Sequence, residues 1–189
     1  MKHIVIFASG SGSNAQQIAE YFAASGTARV VMIYSNRADA YVLERAYKMN
    51  IPSVLFDRID FYENNLVLNQ LQNLHPDLIV LAGFLWKVPQ KIIHAFPKQI
   101  INIHPALLPK YGGKGMYGSH VHRAVIENHE KESGITIHYV NENYDEGDII
   151  LQATCRVDEN DTPETLAEKV HALEYKHFPK TIEQVLSQD

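Results

Sequence analysis

The sequence predicts an α/β protein: a Rossmann-like, open and mostly parallel sheet with helices on both faces and an antiparallel extension at its C-terminal end. Two observations lead to this prediction. Up to residue 104, short β-branched apolar runs alternate with amphipathic segments, which is the order of a parallel sheet with crossover helices. Residues 78–82 form a continuous apolar run, typical of a strand that is buried on both faces.

Periodicity and turn residues place the elements of the first 104 residues. The first strand is predicted over residues 3–8, and Ala15, Ile18, Ala19 and Phe22 follow at the spacing of one helix face. Further strands are expected over residues 30–34, around Val54, and over residues 78–82 and 99–103. Further helices are expected over residues 39–49, 62–74 and 91–96.

The order of elements changes after residue 104. A glycine-rich loop over residues 111–118 precedes a helix predicted over residues 121–128. Two strand-like runs, residues 135–140 and 149–157, then follow one another, which is the pattern of an antiparallel extension. In the last helix Thr162 suits the N-cap and Pro163 the first helical position, and we expect Pro179 to kink or interrupt it.

Composition and charge exclude several classes of protein. Hydrophobic residues make up 46% and charged residues 21% of 189, which indicates a globular chain and, at this length, one domain. The net charge of −5 argues against a general nucleic-acid binder, and we expect no nucleic-acid partner. Residues 1–140 nevertheless carry 13 basic and 10 acidic side chains, against 4 and 12 in residues 141–189, so an anionic small ligand would favour the first part.

Cysteine content and apolar runs bear on the cellular compartment. The single cysteine, Cys155, excludes an intramolecular disulfide and a cysteine-ligated zinc site. The N-terminal apolar run, residues 4–8, is too short for a signal-peptide core, and the longest apolar stretch, residues 78–86, is too short to span a membrane. We therefore expect a cytoplasmic protein without a membrane partner.

The first candidate site is Gly10-Ser11-Gly12-Ser13-Asn14, which follows the first strand and starts a helix. Small residues let the backbone approach an anion, and a helix N-terminus presents unpaired N–H groups. With Ala15 the segment also fits the looser dinucleotide pattern G-x-G-x-x-A. At the end of the second strand, Ser35-Asn36-Arg37 has no acid to hold a nicotinamide ribose, although Arg37 would suit a 2′-phosphate. A phosphate ester is the simplest ligand; an NADP-dependent reductase and a tight turn without a ligand stay as alternatives.

The second candidate site, Asn102-Ile103-His104-Pro105, ends a buried strand. Because side chains two apart on a strand point the same way, Asn102 and His104 share one face and Ile103 faces the other. Such folds bind ligands at the carboxyl ends of their parallel strands. An amide beside an imidazole can stabilise an oxyanion and move a proton, as acyl transfer to an amine requires. The alternative is a polar pair that only satisfies neighbouring loops.

The third candidate is Tyr144-Asp145-Glu146-Gly147-Asp148, an acidic turn between the two late strands. Such a turn is usually a solvated hairpin, and Asp145 gains a function only if the fold brings it to His104. His120 and His122 lie two apart on a predicted helix, so their side chains diverge, and we expect no metal site. The sequence contains neither a G-x-S-x-G elbow nor a Walker A lysine, which argues against serine hydrolases and P-loop NTPases.

Taken together, these residues resemble the phosphoribosylglycinamide formyltransferases, folate-dependent enzymes of purine biosynthesis in the formyltransferase superfamily. The resemblance spans nearly the whole chain, and the order and spacing of its segments are specific. The segments are Ser9-Gly10-Ser11-Gly12-Ser13-Asn14, Ser35-Asn36-Arg37-Ala38-Asp39-Ala40, Leu81-Ala82-Gly83-Phe84, Asn102-Ile103-His104-Pro105-Ala106-Leu107-Leu108-Pro109-Lys110-Tyr111, Ile137-His138-Tyr139-Val140 and Asp145-Glu146-Gly147-Asp148-Ile149-Ile150-Leu151-Gln152.

The resemblance implies transfer of a formyl group from 10-formyltetrahydrofolate, as co-substrate, to 5-phosphoribosylglycinamide, without a metal. Asn102, His104 and Asp145 match the family's catalytic set. In that family, the asparagine and histidine stabilise the oxyanion that forms when the amine attacks the formyl carbon. The aspartate orients the histidine and assists proton transfer through water. His138 matches a supporting histidine near the same centre.

The resemblance also implies binding residues. Gly12, Ser13 and Asn14 match the loop that holds the substrate phosphate, and His171 and Glu174 match a segment that contacts the ribonucleotide, with Glu174 as the ribose ligand. The residues that match the folate site are Leu85, Trp86, Lys87, Val88, Asn102, Asn141, Glu142, Asn143, Tyr144 and Asp145.

The sequence departs from the family in two places. Trp86 stands where other members often have arginine, so another base, with Lys87 as one candidate, is expected to bind the folate tail. Residues 112–118 form a longer segment than in the bacterial and animal members, and their glycine content predicts a mobile flap over the site.

We expect one formyltransferase domain over residues 1–189, with a phosphate-binding half, residues 1–103, and a catalytic and folate half, residues 104–189. A chain of 189 residues lacks room for the extra domains of methionyl-tRNA formyltransferase or formyltetrahydrofolate deformylase, so length favours the smaller enzyme. The expected partners are small-molecule substrates, and the protein would be a monomer or a homodimer. A sugar-nucleotide N-formyltransferase, an NADP-dependent reductase and a non-catalytic phosphate- or folate-binding module stay open.

Overall fold

The structure, a computed structural model, describes residues 1–188 as seven strands and six helices around one sheet. The strands are β1 (Lys2–Phe7), β2 (Ala28–Ser35), β3 (Ser53–Leu55), β4 (Leu78–Leu81), β5 (Ile100–His104), β6 (Glu132–Tyr139) and β7 (Ile149–Arg156). The helices are α1 (Ser13–Ser25), α2 (Val42–Lys48), α3 (Leu66–Leu74), α4 (Gln90–Ala95), α5 (Ser119–Glu127) and α6 (Pro163–Leu186), with a π-helical turn at Ile59–Glu63.

The sheet has the strand order β3-β2-β1-β4-β5-β6-β7. The first five strands pair in parallel, and β6 and β7 extend the sheet in antiparallel fashion beyond β5. This arrangement confirms the predicted fold class. The parallel part brings the loops after β1, β4 and β5 to the same edge of the sheet.

Both faces of the sheet are covered, because alternate residues of its central strands enter two different apolar clusters. In β1, Ile4 and Ile6 pack with residues of α1, α2, α5 and α6, whereas Val5 and Phe7 pack on the opposite face. That second cluster is rich in aromatic rings, and Phe7 stacks on Tyr34 with a centroid distance of 4.8 Å. Both faces being apolar explains why the central strands read as unbroken hydrophobic runs.

Two helices differ from the sequence prediction. The helix expected over residues 39–49 begins at Val42, because residues 37–40 form a turn in which the Ala40 N–H donates to the Arg37 carbonyl at 3.2 Å. The single helix expected over residues 62–74 is wrong. The backbone turns to a left-handed conformation at Asn65, with φ of 61°, between the π-helical turn and α3, and the Asn64 side chain accepts from the Leu66 N–H at 2.9 Å.

The terminal helix confirms one expectation and corrects another. Thr162 caps α6 reciprocally with Thr165, and Pro163 occupies the first helical position, as predicted. An interruption at Pro179 is wrong, since α6 continues through it to Leu186. Phe178, Pro179 and Ile182 are all buried, so we attribute the continuity to apolar burial that offsets the hydrogen bond a proline cannot make.

No helix within residues 1–188 combines the length and the apolar content that crossing a bilayer requires.

Candidate active site

The loop after β1 is shaped to receive a ligand at the start of α1. Gly12 is the N-cap residue of α1 with φ of 73°, no side chain caps the helix, and no acidic residue lies in its first turn. A Cβ atom at Gly12 would overlap Val42, so the close approach of α2 requires glycine there. The first N–H groups of α1 therefore stay available for an anion.

Neighbouring segments fix this loop from several sides. The Ser9 hydroxyl donates to Asn36 Oδ1 at 2.7 Å and accepts from the Leu85 N–H at 3.0 Å. Arg45 donates to the Ser11 carbonyl at 2.8 Å, and the Val42 N–H donates to the Gly10 carbonyl at 3.1 Å. These hydrogen bonds connect the loops after β1, β2 and β4 at the carboxyl edge of the parallel strands.

Asn102 and His104 project from the end of β5 on the face opposite Ile101 and Ile103, which enter the larger apolar cluster. His104 is only 3% exposed. Its Nε2 lies 2.7 Å from the Tyr111 carbonyl, which can only accept, so Nε2 carries a proton and Nδ1 faces the Asp145 carboxylate at 3.6 Å. Burial lowers the pKa of His104, against the opposing effects of Asp145 and the Tyr111 carbonyl.

His138 lies directly opposite Asn102 in the antiparallel pairing of β5 and β6. Its Nδ1 donates to the Tyr139 carbonyl at 2.8 Å, which leaves Nε2 to accept from Asn102 Nδ2 at 3.2 Å. This bond orients the Asn102 side chain and leaves its second amide hydrogen for a ligand. His138 therefore supports Asn102 from the neighbouring strand.

The acidic turn folds back onto these side chains. Asp145 adopts φ of 55°, its side chain is 12% exposed, and its Oδ1 lies 3.6 Å from His138 Nε2. Its Oδ2 accepts from the Gly113 N–H at 2.9 Å. Burial acts to raise the pKa of Asp145, but His138, His104 and the Gly113 N–H together hold it below its ordinary value. The carboxylate is therefore ionised near neutral pH.

A cavity of about 610 Å³ joins the loop after β1 to the side chains at the end of β5. At one end lie Asn14 and Glu174, and Asn14 Nδ2 donates to Glu174 Oε2 at 2.8 Å. Glu174 is 6% exposed, and burial raises its pKa despite the hydrogen bond from Asn14. At the other end lie His104 and Asp145, so one cavity can hold two reactants side by side.

The structure brings most of the sequence-predicted site residues to this cavity. The predicted residues that line it are Gly12, Ser13, Asn14, Leu85, Asn102, His104, Tyr144, Asp145, His171 and Glu174. His138 reaches the site through its contacts with Asn102 and Asp145. The catalytic candidates, separated by up to 43 positions in the sequence, are thus in mutual contact.

Six residues predicted for folate binding lie outside the lining of the cavity. Val88 is buried in the aromatic-rich cluster, and Trp86 packs against that cluster. Glu142 accepts from Gln90 and pairs with His94, both at 2.7 Å, and Asn141 and Asn143 stabilise the turn itself. Lys87 Nζ lies 5.5 Å from the ring centroid of Tyr144, a residue of the cavity wall. The folate role of these six stays a prediction.

Further residues line the cavity. Lys114, Met116 and Tyr117 come from the glycine-rich loop, which the sequence predicts as a flap over the site, although none of the three was predicted individually. His122 comes from α5, and the sequence offered for it only the disfavoured interpretation of a metal ligand paired with His120. Arg37, considered for a 2′-phosphate, also lines the cavity, but its guanidinium binds the Asp39 carboxylate at 2.7 and 3.1 Å.

Across residues 1–188, no three acidic, histidine or cysteine side chains come together in a way that could hold a metal ion.

Comparison with known proteins gives one family and relatives that match nearly the whole chain. The family profile described as "Formyl transferase" matches residues 2–182. A phosphoribosylglycinamide formyltransferase of Bacillus subtilis is 36% identical over 192 residues, which cover 98% of this chain and 95% of that protein. A chloroplastic phosphoribosylglycinamide formyltransferase of Arabidopsis thaliana is 41% identical over 187 residues, 96% of this chain. This chain spans only 64% of the plant protein's length.

Solved structures agree with the observed fold. Glycinamide ribonucleotide transformylase 1 of Symbiobacterium toebii superposes with a TM-score of 0.90 at 35% identity, over 100% of this chain and 89% of that one. A phosphoribosylglycinamide formyltransferase of Bacillus halodurans gives a TM-score of 0.89 at 35% identity, over 98% and 96% of the two chains. The similarity therefore includes every strand and helix that lines the cavity.

Proposed function

The chain belongs to the formyl transferase family, and we propose on this premise that it transfers the formyl group of 10-formyltetrahydrofolate to the amine of 5-phosphoribosylglycinamide, a step of purine biosynthesis. The observation that carries the proposal is the single cavity that joins the anion-binding loop at Gly12 to the Asn102, His104 and Asp145 side chains. A phosphorylated amine held at one end would present its nitrogen to a formyl donor at the other end.

Asn102, His104 and Asp145 are the proposed catalytic residues. The amine lone pair forms a C–N bond to the formyl carbon, and the carbonyl π pair moves to oxygen. The free amide hydrogen of Asn102 donates to this oxyanion. When the tetrahedral intermediate collapses, the C=O bond re-forms, the bond to the folate N10 breaks, and N10 leaves with a proton.

Proton transfer falls to His104 and Asp145. The lowered pKa of His104 keeps its imidazole neutral near pH 7, and with Nε2–H held by Tyr111, the basic nitrogen is Nδ1. Nδ1 accepts the proton that the attacking amine loses, directly or through a water, and later returns it to N10. The imidazolium formed in between is stabilised by the ionised Asp145, 3.6 Å away, and favours the oxyanion.

The substrate positions follow from the two ends of the cavity. The phosphate is proposed to bind the backbone of Gly12, Ser13 and Asn14, and the ribose to bind Glu174, with His171 beside it. The folate pterin is proposed to lie between Leu85 and Tyr144. For the anionic folate tail, Lys87 is joined by a second candidate, Arg58, whose guanidinium lies 4.7 Å from the Trp86 ring centroid.

An acceptor panel tests this proposal. Purified protein is given 10-formyltetrahydrofolate with glycinamide ribonucleotide, an amino sugar nucleotide or no amine, and release of tetrahydrofolate is followed. We expect tetrahydrofolate to be released with glycinamide ribonucleotide and not with the amino sugar nucleotide or without an amine. Transfer only to the sugar nucleotide would contradict the proposed acceptor but not the proposed formyl-transfer mechanism. Binding of glycinamide ribonucleotide or the folate without transfer to any amine would indicate a non-catalytic binding module.

A matched titration with NADPH tests the dinucleotide alternative. We expect no saturable change in NADPH fluorescence, because the Arg37 guanidinium, the group that would bind the 2′-phosphate, is held by the Asp39 carboxylate. Tight NADPH binding would count against the formyltransferase proposal. A cytoplasmic location and a monomeric or homodimeric state stay predictions.

A further inference from the structure

His122 is a buried histidine for which the chemistry above has no use. It lies on α5, is 3% exposed, and lines the cavity. Its Nδ1 is buried and has no hydrogen-bond partner. A buried polar atom without a partner is disfavoured, and an apolar side chain of the same size would avoid that penalty.

Packing does not require an imidazole at this position. Val121 and Val125, on the same helix, are the α5 residues that enter the larger apolar cluster. Burial, together with the nearby His171, lowers the pKa of His122 to about 4, so the ring is neutral near pH 7. A neutral imidazole offers one donor and one acceptor.

His122 lies near His171, which lines the same cavity and is one of the residues proposed to contact the ribonucleotide. In residues 1–188, three buried side-chain polar atoms lack a partner: Asn14 Oδ1, His122 Nδ1 and Ser133 Oγ. Two of these three belong to residues that line the cavity, where Asn14 also donates to Glu174. Unsatisfied polar atoms therefore concentrate where the proposed function expects the ribonucleotide.

We propose that His122 is a substrate-binding residue whose neutral imidazole hydrogen-bonds a ribose hydroxyl of the ribonucleotide. This inference rests on the proposed function. A hydroxyl can donate to the ring nitrogen that lacks a proton or accept from the one that carries it, so it can bind His122 in either tautomer. A phosphate oxygen only accepts and could serve only a protonated nitrogen.

The test compares His122→Phe with His120→Phe, a matched change two residues away at an exposed position outside the cavity lining. Calorimetry measures binding of glycinamide ribonucleotide and of its 2′-deoxy and 3′-deoxy analogues, without folate. We expect His122→Phe to weaken ribonucleotide binding by about tenfold, the scale of one hydrogen bond. Binding of one deoxy analogue should be nearly equal in wild type and variant, because the hydroxyl that His122 binds is then missing.

Stability separates this role from a structural one. If His122 serves binding, His122→Phe removes an unsatisfied atom and the unfolding temperature is unchanged or higher. Should His122→Phe fold poorly, His122→Gln, which keeps a donor and an acceptor, is measured in the same way and should retain part of the affinity. Unchanged ribonucleotide affinity in a folded variant, or an equal loss for all analogues, would overturn the inference. Failure of the wild type itself to bind the ribonucleotide would instead overturn the proposed function, and this inference with it.

Discussion

At the scale of single residues, the site is governed by which atom of each histidine carries the proton. The Tyr111 carbonyl fixes the proton of His104 on Nε2, and the Tyr139 carbonyl fixes that of His138 on Nδ1. His138 Nε2 can then only accept, which holds Asn102, while His104 Nδ1 faces Asp145. Backbone carbonyls thus assign different roles to two chemically identical side chains.

Truncation of the amide or the imidazole tests these roles. Asn102→Ala and His104→Ala are each expected to lower kcat by about a thousandfold while changing the Kd of either substrate little, because both groups act mainly on the developing oxyanion and its proton. His120→Ala serves as the control and should behave as wild type. Formyl transfer at a near-normal rate in His104→Ala would contradict the mechanism.

The buried histidines also make stability depend on pH. His122 has a folded pKa of about 4 against an ordinary value of 6.5, and the pKa of His104 is lowered as well. A histidine with a depressed folded pKa makes its full contribution to the free energy of unfolding at pH values above its unfolded pKa. That contribution is lost as the pH falls toward the folded pKa. We therefore expect the free energy of unfolding to drop by about 2 kcal/mol from His122 alone between pH 7.5 and pH 5.

Urea unfolding at the two pH values measures this drop. In His122→Phe the loss should be smaller, because the titrating group is gone, whereas His120→Phe should retain the wild-type drop. An equal drop in all three proteins would show that His122 does not titrate as inferred. Asp145 affects stability over a lower pH range. Because its folded pKa is depressed, the stability that it contributes is lost only as the pH falls below its unfolded pKa.

At the scale of elements, the sequence predicted the strands, which follow from the pattern of apolar residues. It missed a helix boundary that depends on a hydrogen bond to one side chain. The runs that became β1 and β4 are apolar on both faces, as expected of short strands buried within a parallel sheet. The break at Asn65 was missed because the Asn64 side chain bonds one local N–H, that of Leu66, and such a contact leaves the apolar spacing of Val67 and Leu71 unchanged.

The same distinction applies to the site. Asn102 and His104 could be paired from sequence because a strand fixes which residues share a face. Asp145 could be joined to them only through the family resemblance, since no local rule places a turn 41 residues after His104 against it. His122 was considered only as a metal ligand, because spacing alone shows neither burial nor a missing partner.

The loop after β1 is the element whose shape is most sensitive to a single atom. Gly12→Ala would place a Cβ on Val42 and force φ of 73° on an L-residue, so we expect it to lower the free energy of unfolding by about 2 kcal/mol and to weaken ribonucleotide binding. Gly10→Ala is the control for stability, because a Cβ there meets no atom within 4 Å. Equal unfolding free energies for the two variants would show that the contact with α2 is not what requires glycine.

At the scale of the whole molecule, the two sequence halves are joined by one sheet and one core. β5 crosses the boundary between the halves at residue 103 and pairs with β6 of the second half, with Ile101 opposite Tyr139. α6 packs on α1, and its Phe178 and Ile182 enter the same apolar cluster as Ile18 and Phe22. The more basic residues 1–140 supply the anion-binding loop, and the acidic residues 141–189 supply Asp145 and Glu174, so the proposed site needs both parts of the chain.

This continuity predicts that the chain unfolds as a single cooperative unit. The only tryptophan, Trp86, packs against the aromatic-rich cluster of the first half, whereas the 24-residue α6 contributes strongly to the far-ultraviolet circular dichroism from the second. Because separating the halves would expose β5 as an open edge and strip α1 of its α6 contacts, tryptophan fluorescence and circular dichroism should give the same urea midpoint. Residues 1–103 expressed alone should be unfolded for the same reason, and a second transition, or a folded fragment, would divide the chain into two independently stable parts.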